Sequence, residues 1–541
     1  MKMFLKLILL NIFLFTIKQQ IFPRDYNNNY RPVNLKWIAG TSGGDPTDPD
    51  HIWDSGTEGD ADRTPFAFGF NPDISETGTQ AMAIWYETIS TDSRKFKHAT
   101  WNDVDGCTAA GTDPDIPNST SASFLPRFAF NNDTTNTSVQ AICVWHDGGS
   151  ATQAPATGGG DDLCHYATWN KNDGWTAGTK GNGSGGGDHI AGSGETGDDS
   201  PQRSIFPAVA FNTDTSNTGT QAICLWQEFY SSENRVNTAT WNSTNGWASQ
   251  GFISAEPAEN PRIAFNTDTS NTDTQAIIVW TGNEANKKTH YAYWNSINGW
   301  SASGTIANSG LSGDSGSAKI IFNTDTSNTG TQAICIWQEI GVGDVSPYAS
   351  IKYATWNSVN GWSAGDSGGG ADVDRIYNSG TEGQALFPES AFNPDTSNTG
   401  TQAICVWYER NVGDQGTFNR AVKYSTWNST SGWTPGDSGG GTDVDRILNS
   451  GTEGDSTLAF ISFNTDINST GTKAICMWQE DNVESGNKAT KYAIFGFDLE
   501  FSPCCDLFDI NKKCNLRQLA EQVGIEISGC SLQELYDRVF N

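Results

Sequence analysis

The amino-acid sequence predicts an all-β fold: a seven-bladed β-propeller of four-stranded antiparallel blades, with a small C-terminal helical hairpin appended. Three observations predict it. Phe70, Phe130, Phe211, Phe265, Phe322, Phe392 and Phe463 each stand 15 residues ahead of Trp85, Trp145, Trp226, Trp280, Trp337, Trp407 and Trp478. A second, tryptophan-bearing hairpin follows each of these first hairpins. The tryptophan that the last copy lacks is found instead ahead of the first copy, at Trp37.

The first hairpin is clearest in AFNTDTSNTGTQAICLW, Ala210 to Trp226, where two short apolar runs flank a turn of Thr, Asn, Asp and Gly. Its partner reads KYATWNSVNGW at Lys352 to Trp362, with an Asn-Gly pair suited to a tight turn at positive φ. Each unit so contributes four strands, a to d. The seventh unit has no d strand, and the segment around Trp37 supplies one. In a circular array the two complete one blade and leave no open edge at the seam, which a linear solenoid would not gain. Nineteen of the 20 tryptophans fall on three repeat positions and read as packing between blades; Trp53 is left over as a candidate ligand contact. The propeller is expected over residues 35–500.

Lys2 and Lys6 precede an apolar run from Leu7 to Ile17 that is short for a membrane span, so residues 1–20 read as a secretory signal and 21–34 as a linker. No A-x-A site follows, which leaves an uncleaved anchor open. The expected location is secreted, cell-surface or periplasmic, without stable membrane insertion once the signal is removed. Cys143, Cys224, Cys335, Cys405 and Cys476 share one repeat position and are expected as small buried apolar residues. Cys504, Cys505, Cys514 and Cys530 crowd the tail, residues 501–541, and suit disulfides in an exported chain. In that tail Leu516, Leu519, Ala520 and Val523, then Leu532, Leu535, Tyr536 and Val539, have helical spacing.

With 32 Lys and Arg against 62 Asp and Glu, the net charge is -30, which repels nucleic-acid backbones and favours cations such as calcium. The a-b and c-d turns are short and nearly constant. The b-c and d-a loops absorb the variation in repeat length, 54 to 81 residues, and so offer the expected working face for a glycan or protein ligand.

Two recurring features mark that face. Strand b ends in Trp followed two residues later by an acid, at Glu87, Asp147, Glu228, Glu339, Glu409 and Glu480. The d-a loop carries DPDHIWDSGTEG, DVDRIYNSGTEG and DVDRILNSGTEG. These nominate Trp53, Tyr377, Arg375, Arg446, Glu87 and Glu409 as ligand contacts. Asp48, Asp50, Asp372, Asp374, Asp443 and Asp445 become candidate calcium ligands, since alternate carboxylates can face one ion. The plainer reading is that Asp and Arg brace a long loop. The a-b turn, with Asn212, Asp214 and Ser216, is a second place for calcium, and Asx-turn hydrogen bonding explains it equally well. GDSGG occurs at Gly365 to Gly369 and Gly436 to Gly440; with no histidine in a matching context, it reads as a loop rather than a serine nucleophile.

PRIAF at Pro261 to Phe265 and GTQAICVWYER at Gly400 to Arg410 resemble the inner strands of sialidase-like, Asp-box propellers. The N-S-x-N-G-W turn falls where that family places its box, shortened and without the aspartate. The resemblance implies a carboxylate clamped by Arg127, Arg262 and Arg410 beside Glu409 and Tyr408, with Lys319 at a place equivalent to the first two. Two readings therefore enter the structure: an exported binding propeller, favoured because the repeats are so alike, and a sialidase-type glycoside hydrolase.

Overall fold

The computed structural model describes residues 35–39 and, with interruptions in the longer loops, 52–497. The signal, the linker, the tail cysteines and the helical hairpin expected from the sequence lie outside the described residues.

Seven antiparallel sheets are present, each ordered a-b-c-d. In the third blade the strands are Ser204–Phe211, Ala222–Tyr230, Glu233–Asn242 and Gly246–Phe252. In the seventh, Ser456–Phe463, Thr472–Glu480 and Ala489–Phe497 are completed by Leu35–Ala39. The seven a strands touch one another in cyclic order, the seventh against the first. They form the inner wall of a closed ring.

Strand b explains why the apolar run does not alternate. Ala276 to Trp280 is wholly buried. Ile277 and Val279 pack with Phe322, Ala333 and Trp337 of the next blade, whereas Ala276, Ile278 and Trp280 pack with Ile223 and Leu225 of the preceding one. Both faces of the strand are therefore core. The same cross-blade packing joins Ile475, Met477 and Tyr492 to Phe70, Trp85 and Cys107, so the seam is as apolar as any interior joint. The repeat cysteines belong to this layer as free, buried thiols, and burial raises their pKa well beyond reactivity.

A second joint runs through aromatic rings. The strand-c side chain three residues before the strand-c tryptophan meets the strand-d tryptophan of the next blade: Tyr166 with Trp247, Tyr291 with Trp362, Tyr353 with Trp433. Trp37 meets Tyr424 edge-on at 5.6 Å in the same relation, which identifies it as the missing member of the set. This joint also accounts for the first glycine of GDSGG. A Cβ on Gly365 would lie 2.4 Å from the Tyr353 ring, and the Tyr353 hydroxyl accepts a hydrogen bond from the Asp366 backbone. Only glycine fits there.

The a-b turns form a third joint. In five of the seven blades the residue two after the repeat phenylalanine reaches the next blade: Asn132 Nδ2 donates to Phe211 O, the Thr213 and Thr267 hydroxyls to Asn266 O and Asn323 O, Thr324 to Asn393 O, and Thr465 to Asn71 O at 2.5 Å. Pro72 and Pro394 stand at this position in the first and sixth blades and have no donor to give. Thr267→Val is expected to cost about 1 kcal/mol, the net contribution of one such bond, read as a lowered urea midpoint at unchanged m-value. Within the turn, Asp214 accepts from the Ser216 amide and hydroxyl and Asn212 from the Asp214 amide, so the alternating oxygens serve the turn itself.

Candidate functional site

The site begins with an irregularity shared by six blades. In each, strand a slips by one residue against strand b; in the second, Phe124 pairs with His146 but Arg127 with Val144. The extra residue has a positive φ although it is never glycine: Leu125, Phe206, Asn260, Ser317, Phe387 and Leu458, at 49° to 56°. Proline follows at Pro126, Pro207, Pro261 and Pro388, tolerable because strand a is an edge strand and the bulge leaves no partner for its missing N–H. Two side chains of neighbouring blades support the bulge from behind, Gln227 Oε1 accepting the Asn260 amide and Gln338 Oε1 the Phe387 amide.

The bulge turns this residue, and the one two places after it, toward the axis. Together they line a central cavity of about 310 Å³. At the second position stand Arg127, Arg262, Lys319, Glu389 and Phe460. Three bases thus converge with one carboxylate among the described residues. Lys319 forms an ion pair with Glu389, Arg127 lies over the Phe460 ring at 5.4 Å, and each arginine donates to the carbonyl of its own preceding proline. Burial, reinforced by Arg262 beside it, lowers Arg127 to about 9. Burial and the same neighbour lower Lys319 to about 7, against the opposing pull of Glu389. Burial lowers Arg262 too. Desolvation thus acts on all three cations, and crowding by a neighbouring cation on Arg127 and Lys319.

Of the residues the sequence nominated, Arg127 and Arg262 do share this cavity, with Lys319. Arg410 does not line it; it ends strand b of the sixth blade, opposite Arg420 and with its amide on Gln384 O. Tyr408 is buried against the bulge residue Phe387, stacked on its ring at 5.8 Å. The expectation for Glu87 and Glu409 is corrected, because both are wholly buried. Two residues along a strand share a face, so each carboxylate lies under its own tryptophan and accepts the indole N–H, at 3.0 Å for Glu87 and 2.9 Å for Glu409. Glu228, Glu339 and Glu480 repeat the bond. Trp145 and Trp280, followed by the shorter Asp147 and by Gly282, keep indole nitrogens without an acceptor among the described residues.

The same carboxylates hold the d-a loop. Glu409 accepts from the Gly380 and Gly383 amides, Glu480 from those of Gly451 and Gly454 and from the Ser456 hydroxyl. Upstream, Ile376 and Ile447 are buried plugs, and Ser379 and Ser450 accept strand-c amides. Asp374 and Asp445 each lie 3.3 Å from a buried lysine, Lys352 and Lys423, so these two candidate calcium ligands already face a cation. Arg375 and Arg446 form β-bridges with those lysines. The described residues of the repeated loop motif thus hold the loop against strands b and c. Trp53, Tyr377, Asp48, Asp50, Asp372 and Asp443 lie outside the described residues. Among the described residues no cluster of three or more His, Cys, Asp or Glu could hold a metal ion, and no helix is long and apolar enough to cross a membrane.

Glu389 and Phe460 escaped sequence reasoning. Both stand three residues before a repeat phenylalanine, the offset shared by Arg127, Arg262 and Lys319, so the alignment held the signal. The bulge had no such signature, since glycine marks positive φ and none is present.

No protein-family model matches the chain, and no curated protein matches it. Among solved structures, a putative 6-phosphogluconolactonase from Bacteroides uniformis is similar at 9% identity and a TM-score of 0.41, covering 77% of this chain and 98% of that one. A thermostable family-43 glycoside hydrolase is similar at 10% identity and 0.28, covering 54% and 89%. An endo-arabinase from Bacteroides thetaiotaomicron is similar at 11% identity and 0.30, covering 54% and 93%.

Proposed function

We propose that this chain is an exported binding propeller that captures a small organic anion in its central cavity. One observation carries the reading: Arg127, Arg262 and Lys319 converge on a single cavity whose described lining holds one carboxylate. Three cations facing one carboxylate in a half-buried space repel one another, and an anion bridging them relieves that repulsion. The cavity lies near the start of the a strands, on the side where the d-a loops enter, in keeping with the working face expected from the repeats. Hydrolysis by paired carboxylates would need a second acid beside Glu389, and Glu409 is sealed under its tryptophan.

Arg262→Gln is expected to weaken binding of an organic carboxylate about tenfold or more, the loss of one charge-assisted bond, by titration calorimetry. Affinity should also fall as pH rises through about 7, because Lys319 loses its proton there while the arginines keep theirs. Turnover of a fluorogenic sialoside that disappears in Arg262→Gln would overturn the reading in favour of a sialidase-type hydrolase. A flat pH profile with unchanged affinity in Arg262→Gln would remove the cavity as the site.

A further inference from the structure

The collar above the cations has a composition of its own. Four of its six positive-φ residues are large and apolar, Leu125, Phe206, Phe387 and Leu458, and Phe460 adds a fifth apolar surface below them. Asn260 and Ser317 are the polar pair, in adjacent blades. Phe387 is 43% exposed in a molecule whose other repeat aromatics are almost all buried. Architecture alone does not call for this. A positive φ costs an ordinary residue about 1–2 kcal/mol that glycine avoids, and the hydrogen bonds that support the bulge at Asn260 and Phe387 use their backbone amides, not their side chains. Leucine and phenylalanine at these places aim apolar surface at the axis and leave it open to water.

Resting on the reading of the cavity as an anion site, we infer that its ligand is an amphiphilic carboxylate, an anionic head held by Arg127, Arg262 and Lys319 with an aromatic or aliphatic body seated in the apolar collar. Saccharide hydroxyls placed against Leu125, Leu458 and the phenylalanines would lose water without gaining partners. A phenyl ring or short alkyl chain would bury apolar area on both sides. The volume, about 310 Å³, belongs at the small end of ligand pockets.

Titration calorimetry of the full chain with phenylacetate, hexanoate, acetate, glucuronate and benzyl alcohol tests this. Phenylacetate and hexanoate are expected to bind about tenfold or more tighter than acetate and glucuronate, and phenylacetate to exceed neutral benzyl alcohol by a similar factor. Leu458→Asn, a residue type that accepts positive φ, should narrow the preference for phenylacetate and hexanoate over acetate by about threefold or more, the other apolar side chains of the collar remaining in place. Equal affinity for all four carboxylates, or tighter glucuronate, would overturn the inference and leave the anion site standing. Failure of every carboxylate to bind would overturn both.

Discussion

Glu480→Ala is expected to destabilise the propeller by about 3–5 kcal/mol, the range for removing one partner of a buried charged network. Four donors converge on this carboxylate: the Trp478 indole at 2.8 Å, the Ser456 hydroxyl at 2.9 Å, and the Gly451 and Gly454 amides at 3.2 Å. Alanine would leave the Trp478, Ser456 and Gly454 donors buried without this acceptor, while the Gly451 amide keeps the Ser456 hydroxyl oxygen at 2.6 Å, and each unsatisfied donor costs about 1–3 kcal/mol before relaxation. Glu480→Gln keeps one acceptor oxygen and should lose less, because only part of the amide set is orphaned. Urea denaturation with fluorescence detection measures the difference. Equal stability of wild type and Glu480→Ala would show that the loop amides find water, and the brace would then hold nothing.

The second large effect is a pH dependence written into the second blade. His146 is wholly buried, stacked against Phe124 at 5.7 Å, with neither ring nitrogen hydrogen-bonded among the described residues. Burial, assisted by Arg203, holds its pKa down at about 3. The unfolded imidazole titrates near its ordinary 6.5. Between these values the unfolded chain binds a proton that the folded chain refuses, so stability falls as pH drops below 6.5 and levels off only near 3. The slope is about 1.4 kcal/mol per pH unit, roughly 4 kcal/mol over the interval. His146→Gln places there the residue found at the equivalent Gln227, Gln338 and Gln479. The difference in unfolding free energy between wild type and variant should shift by this amount from about pH 7 to about pH 3, whatever other groups titrate in both. A constant difference would mean that His146 is reached by water.

How much of this was legible follows from how each feature is encoded. Closure was legible because Trp37 belongs to a set of strand-d tryptophans, and a set shows its gap. The b strands were legible as core because an unbroken apolar run has no solvent face to alternate with. The acids after strand-b tryptophans were misread because a charged residue ending a strand looks like a surface group. The period-two geometry that puts it beneath the indole was available, but the glycine amides that satisfy it come from a loop 26 to 29 residues upstream. The three bases of the cavity were legible from their shared offset, whereas the collar was not, since nothing in Leu125 or Phe387 announces a left-handed backbone.

The N-terminal strand that completes the seventh sheet has a kinetic consequence. Its nearest ring partner, Phe495 at 5.2 Å from Trp37, is made more than 450 residues later, so in a nascent chain this strand must wait for all seven repeats. The entropy of so long a loop grows only logarithmically and exceeds that of a single 54-residue repeat by about 2 kcal/mol. Waiting is therefore a small matter in equilibrium and a hazard in time, for until Phe495 arrives the strand is idle and its edge is open to pairing elsewhere.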